Sequence, residues 1–427
     1  MSRRLAWAGL LACAAAAPLP AQSLRDLVSR APADGLVAFR FPARSGVCGG
    51  PHFVRFGTSV TVSRGSYSYS DGVESHPCQP GPVRVTLTRA GGQVVGLEVG
   101  IGADDTGREV RDLGEVSGGV AASWLLELAG TTEGRPGQAA IFPAMLAEGG
   151  SPLPALLALV QNRDLARQTR QSAATWLGRE VELLPAAEAA GVVQALARVA
   201  GDEAEAPAVR QHAMSVLGRG PQGPGIPALV DLAASPDPWV ARTATAALAG
   251  SGDPRARAHL RSAARDANRP EGVRAAALRG LGRNYATAED LALLRELFPS
   301  LGTSAEREAI LSAVGEAGGA QNVRWLLAVA TGAGQDEASV TRAIRAASQA
   351  GATSADLATL YDALSSRGPR TTIIGLLGER GDRPAIDKLL AIARSDTDVA
   401  QRRAAIRRLS SSTDPRVRRA LGEMVGG

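Results

Sequence analysis

Hydrophobic and polar residues follow one rule in the first part of this chain and another in the rest. From residue 34 to about 116 they alternate. LVAFRF (Leu36 to Phe41), HFVRFG (His52 to Gly57) and SVTVSR (Ser59 to Arg64) carry the period of two expected of half-buried strands. VRVTLTR (Val83 to Arg89) and VVGLEVG (Val94 to Gly100) flank AGGQ, where Gly91 and Gly92 suit the positive φ of a tight hairpin turn. The pattern predicts a small antiparallel β domain over residues 22–116.

From Ser117 the period lengthens. Ser117 is placed to cap a helix through VAASWLLELAG (Val120 to Gly130), and residues 117–150 read as a transition into a longer helical region. Beyond it, segments of ten to fourteen residues show leucine at three- and four-residue spacing, as in PALVDLA (Pro227 to Ala233), DLALLRELF (Asp290 to Phe298) and AIDKLLAIA (Ala385 to Ala393). Breaks such as GSGDP (Gly250 to Pro254), GERGD (Gly378 to Asp382) and STDP (Ser412 to Pro415) separate them, the first two with a glycine to end one helix. All three supply an aspartate to cap the next, and GSGDP and STDP a proline for its first turn.

These segments repeat in pairs. The apolar residues that close the second helix of each pair are Leu177, Leu217, Leu248, Leu281, Val314, Ala347, Leu377 and Leu409. The steps between them are 40, 31, 33, 33, 33, 30 and 32 residues. So regular a period predicts a solenoid of about eight helical pairs over residues 151–427, each burying its apolar stripe against its neighbours. Arginine stands seven positions ahead of the closing residue in six units, as Arg170, Arg210, Arg274, Arg307, Arg370 and Arg402. Arg242 and Arg342 fall one and two places off that register.

PDPWVARTATAALAGSGDP (Pro236 to Pro254) and PEGVRAAALRGLG (Pro270 to Gly282) show a fixed order. An Asp or Pro turn is followed by a Val and Arg, Ala-rich spacing and a closing Leu. In this the array resembles HEAT repeats, in particular the short HEAT-like repeats of phycobilisome lyases, over roughly residues 150–427. The resemblance implies a mainly α fold, a right-handed α-solenoid of ARM/HEAT type, whose usual role is to hold proteins or peptides along a concave face. It does not imply lyase chemistry, because no bilin-handling site is matched. Tetratricopeptide repeats share the period but need recurring aromatics that this chain lacks. The first 116 residues lie outside the resemblance.

Composition sharpens this picture. Of 427 residues, 45% are hydrophobic but only 4% aromatic, so the core must be built of Ala, Leu and Val, which suits close helix packing. The net charge is +5, and Lys388 is the only lysine. Basic and acidic residues number 47 and 42, a balance that gives no nucleic-acid footprint. Arg3 and Arg4 followed by the thirteen-residue apolar run Leu5 to Ala17 read as an export signal over residues 1–21, with cleavage expected after Ala21. Lipidation at Cys13, within LLAC (Leu10 to Cys13), is the alternative. No segment is long and apolar enough to suggest a membrane span.

Candidate chemistry is sparse. Cys48 and Cys78 are the two cysteines beyond the signal and are expected to form a disulfide in an exported protein. The alternative is a metal site from Cys48, His52, His76 and Cys78. The arginine column reads either as a cationic ladder for an acidic partner or as an internal brace bonded to turn carbonyls, and the repeat signature favours the brace. Arg402, Arg403, Arg407 and Arg408 form a basic run at the C-terminal end, read as a solvated cap or as a site for an anionic partner. Tyr67 and Tyr69 share a strand face, an expected core pair with sugar stacking as the alternative. Hydrolase, phosphate-loop and zinc-protease motifs are missing, and no cofactor is called for. The expectation is a non-catalytic scaffold of the periplasm or cell surface that binds a protein. The alternatives are a binder of an anionic envelope polymer and an enzyme with its site in the first domain or its junction with the repeats.

Overall fold

The structure is a computed structural model that describes residues 21–56, 60–63, 66–68, 78–102, 107–149, 152–181, 183–219 and 223–426. The expected signal peptide up to residue 20, Cys13, Tyr69 and His76 lie outside the described residues. The chain forms two compact units, Met1–Leu183 and Leu184–Gly427.

Among the described residues of the first unit, α1 (Ala21–Arg30) precedes eight strands. These are β1 (Gly35–Phe41), β2 (Val47–Gly50), β3 (Phe53–Phe56), β4 (Val60–Ser63), β5 (Ser66–Ser68), β6 (Val83–Ala90), β7 (Gln93–Ile101) and β8 (Val110–Glu115). They make two four-stranded sheets, ordered β7-β6-β1-β8 and β2-β3-β4-β5. The β6–β7 hairpin closes as its sequence predicts. Ala90 pairs with Gln93, and Gly91 and Gly92 between them have φ of 56° and 79°. The expected antiparallel pairing joins every neighbouring pair of these strands except β1 and β8, which run parallel and make the first sheet mixed. β8 is an edge strand in which no residue is buried, so it carries no apolar alternation for a sequence to display.

The described helices that follow in this unit are α2 (Gly118–Thr131), α3 (Arg135–Leu146), α4 (Leu153–Gln161) and α5 (Arg167–Val181). Ser117 occupies the N-cap position of α2 with extended backbone, but its side chain makes no capping bond, contrary to the sequence expectation. The scarce aromatics join helices to sheets. Phe39 of β1 meets Trp124 of α2 edge-on at 5.7 Å. Trp176 of α5 lies 5.9 Å from Phe142 of α3 and 6.3 Å from Phe56 of β3. Wide rings of this kind contribute large buried area per residue. The compact unit therefore runs beyond the change of pattern at residue 117 and takes in the first helical pair, α4 and α5.

The second unit is helical throughout its described residues. Its pairs are α6 (Ala186–Gly201) with α7 (Pro207–Leu217), α8 (Ile226–Ala233) with α9 (Pro238–Leu248), and α10 (Pro254–Arg265) with α11 (Glu271–Leu281). They continue as α12 (Ala288–Leu297) with α13 (Ser304–Ala317), α14 (Ala320–Thr331) with α15 (Glu337–Gln349), α16 (Ser354–Ala363) with α17 (Arg367–Arg380), and α18 (Arg383–Ser395) with α19 (Val399–Leu409). A last helix, α20 (Pro415–Gly426), ends the array. Asp253 caps α10 through the Arg255 N–H at 2.7 Å, with Pro254 in the first turn. Gly381 ends α17 in the left-handed conformation, and Asp382 caps α18.

The Leu-Gly that closes many units has a packing cause. A Cβ on Gly282 would lie 2.4 Å from the Cβ of Ala313, on the next second helix. Gly218 stands in the same way against Ala247, and Gly315 against Ala346. Each glycine follows a closing apolar residue, and each alanine precedes the next one. At the α9–α11 contact the roles reverse, with Ala249 meeting Gly280. The second helices thus stack directly on one another through their smallest side chains. Gly282→Ala is expected to destabilise by about 1–3 kcal/mol through overpacking. Gly191→Ala, inside α6 where a Cβ meets nothing within 4 Å, is expected to stabilise by about 1 kcal/mol. Urea unfolding of both variants checks this, and similar shifts for the two would refute the stacking argument.

Candidate partner-binding face

The helical period decides which arginines reach solvent. At about 100° per residue, seven positions ahead of the closing residue is within about 20° of the buried face. Arginines in that column turn inward. Arg170 donates to Val160 O at 2.9 Å, Arg210 to Ala200 O at 3.1 Å and Arg274 to Ala264 O at 3.0 Å. Each acceptor lies ten residues back, near the end of the first helix of the same pair, where carbonyls lack a helical partner. Arg307 bonds Leu301 O at 3.2 Å, and Arg402 bonds Asp396 O at 2.6 Å. Arg210 also lies over the Trp239 ring at 4.7 Å, and Arg274 reaches Glu306 at 3.1 Å.

Arg370 joins a second internal cluster. It donates to Asp396 at 2.6 Å and stands 4.1 Å over the Tyr361 ring. The Tyr361 hydroxyl donates to the same carboxylate at 2.7 Å. Burial, reinforced by this bond, pushes the Tyr361 phenol well above its ordinary range, so it stays protonated. A third cluster centres on Asp290, which is wholly buried. It accepts from Arg261 at 2.6 Å, from Arg257, and from the Thr287 N–H at 3.0 Å. The groups of each cluster are committed to one another.

The C-terminal basic run divides. Arg402 faces inward as described, whereas Arg403, Arg407 and Arg408 are exposed. The stem of Arg408 lies across Gly378 on α17. Cys48 and Cys78 are joined as a disulfide with Cα atoms 5.1 Å apart. This removes both thiolates from the alternative metal set with His52 and His76. His259 is held below its ordinary pKa, first by burial and then by Arg269. An open groove lined by Ala258, Arg261, Ser262, Arg265, Asp266 and Glu289 lies on the first-helix side of α10.

The outward stripe of the second helices is set by positions two and six ahead of each closing residue, about 160° and 120° from the buried face. It carries Arg242, Arg279, Arg345, Arg403 and Arg407, all exposed. No ion pair joins any of these five to a carboxylate among the described residues. Between them stand Ser215, Ala246, Ser312 and Gly375. Across the second helices of this unit, fourteen arginines meet six carboxylates, while their partner first helices carry ten basic and eight acidic residues. The positive charge is concentrated on one layer. Sequence reasoning singled out the inward column and the C-terminal run. The outward stripe was equally legible from the same period applied at positions two and six ahead of the closing residue.

The HEAT-repeat family profile matches residues 226–301, which span α8 to α12. Among solved structures, the chain is similar to the CpcE and CpcF phycocyanin lyase complex from Nostoc, with 19% identity over 65% of this chain and 96% of that one and a TM-score of 0.30. It is similar to human deoxyhypusine hydroxylase, with 17% identity over 68% and 96% and a TM-score of 0.24. It is also similar to Kap95p, with 13% identity over 68% and 46% and a TM-score of 0.40. No curated protein matches the sequence. The family match and the helical pairs that continue on both sides of it assign the architecture: the helical array of this chain, preceded by a small β-sheet region, is a HEAT-repeat α-solenoid.

Proposed function

We propose that this protein is an exported, non-catalytic scaffold that holds a protein partner along the second-helix face of its solenoid. The observation that carries the reading is the outward stripe. The inward faces of these helices are consumed by packing and by the arginine braces. The stripe at positions two and six recurs in every pair, presents no large apolar side chain and carries five exposed arginines. Repeat arrays use such extended surfaces for binding. The Cys48–Cys78 disulfide supports an oxidising compartment. No described helix is long and apolar enough to cross a membrane.

A photo-cross-linking amino acid at Ala246 or Ser312, on the stripe, is expected to trap a discrete protein in the intact cell. The same group at Ala258 or Ser262, on the first-helix side, is expected to trap much less. Equal capture from both sides would refute the assignment of the face, and none from the stripe would refute the scaffold reading. Export is checked by N-terminal sequencing, which should begin at Gln22.

A further inference from the structure

The charge pattern of the stripe selects a chemistry of partner, an inference that rests on the scaffold reading above. At the two stripe positions no second helix of the second unit presents a large apolar side chain. An amphipathic helix would find no pocket for its apolar anchors. What the face offers is guanidinium groups, each able to fork onto a carboxylate. We infer that it takes an acidic polypeptide segment lying in extended form across the second helices.

Two observations favour a polypeptide over a uniform polyanion. First, Glu308 stands on the stripe six ahead of its closing residue, and Glu316 stands one turn beyond Ser312. Both are exposed, and they divide the basic positions into a group at Arg242 and Arg279 and a group at Arg345, Arg403 and Arg407. Each is already ion-paired, Glu308 with Arg342 and Glu316 with Arg283, so a polymer with a charge on every unit finds no free guanidinium from these pairs at this break. A polypeptide places neutral or basic residues there. Second, the spacing fits an extended chain. Arg279, Arg345 and Arg407 lie at one position in alternate repeats, so with helices packed about 8–10 Å apart they recur about every 16–20 Å. A strand covers that distance in five or six residues at about 3.3 Å each. Carboxylates at that interval meet successive arginines. The small residues Ser312 and Gly375 at the same position of the intervening helices let the backbone lie close.

The test uses the full chain and a fluorescent Ser/Gly peptide of about eighteen residues, with glutamate pairs about every sixth position. Its anisotropy is followed at about 50 mM salt and again at about 300 mM, where exposed charge pairs are screened. Arg279→Gln, Arg345→Gln and Arg407→Gln are combined in one variant, and an unchanged thermal melt shows that it folds. The wild type is expected to bind the acidic peptide, and the triple variant about tenfold or more weakly, since three charge-assisted contacts are lost. The peptide with glutamine in place of glutamate should bind as weakly as the variant does. Absence of wild-type binding, or equal binding by the variant, overturns the inference. So does inorganic polyphosphate that displaces the peptide at lower charge concentration than the peptide itself, which would identify a uniform-polyanion site. If a protein is trapped at Ser312 equally in wild type and triple variant, the scaffold reading stands and the acidic-partner inference falls.

Discussion

Asp290→Ala is expected to remove about 3–5 kcal/mol of stability, the scale for breaking a buried ion pair by deleting one partner. The carboxylate has no exposed surface, and it ties two repeats together. Arg257, on the first helix of one pair, donates to Gly280 O at 3.2 Å and Leu281 O at 2.8 Å. Its remaining reach goes to Asp290, on the first helix of the next pair. Arg261 approaches the same carboxylate at 2.6 Å. Asp290 also closes a capping box with Thr287, whose hydroxyl accepts from the Asp290 N–H at 3.2 Å. Alanine would leave the Arg257 charge buried without its partner and would unmake the cap. Replacing Arg257 and Asp290 together by apolar residues of similar volume is expected to cost far less. Urea unfolding checks both, and a loss below about 1 kcal/mol for the single variant would refute the assigned role.

The same carboxylate gives a pH dependence. Burial raises its pKa, but the bonds from Arg261, Arg257 and Thr287 outweigh burial and hold it below the ordinary aspartate value. The folded protein therefore takes up this proton less readily than the unfolded chain. The contribution is complete above the unfolded aspartate pKa of about 3.9 and is lost as pH falls through the lower folded value. Asp290→Asn should flatten that part of the acid limb.

The repeat, the helical pairs and the β6–β7 hairpin were legible because each rests on local chemistry. A closing leucine, an aspartate cap and a Gly-Gly turn act within a few residues of themselves. Arg274 illustrates a finer reading, since its place seven ahead of Leu281 already directs it inward to Ala264 O. Arg407, two ahead of Leu409, is directed outward by the same arithmetic. Other features depend on partners far along the chain and leave no periodic mark. β8 returns beside β1 with nothing buried, and Trp176 finds Phe56 across more than a hundred residues. The Arg257–Asp290 pair occurs once in the array, so no repeat advertises it. Thr287 and Asp290 do carry capping-box spacing, the one local signal at that site.

Cys48→Ser with Cys78→Ser is expected to cost about 3–4 kcal/mol, the chain-entropy value for a crosslink closing a loop of 30 residues. The local structure makes the loss severe. β2, β3, β4 and β5 are only three or four residues long, and such short strands do not form a stable sheet alone. The disulfide stands beside a two-way backbone bridge in which Gly49 and Gln79 exchange bonds of 2.9 and 3.1 Å. It thereby fixes the returning chain against β2. Backbone also approaches Gly49 too closely for any side chain, since a Cβ there would lie 2.3 Å from Phe53 O. With the crosslink gone, the unfolded chain gains the freedom that the loop denied it, while the native bridge gains nothing. Hydrogen exchange at β2 and β3 should rise sharply in the double variant, and in the wild type under reductant. Thiol labelling of unfolded, unreduced wild type should find neither cysteine reactive. Unchanged exchange in the double variant would show that sheet packing alone holds β2, and two reactive thiols would refute the bond itself.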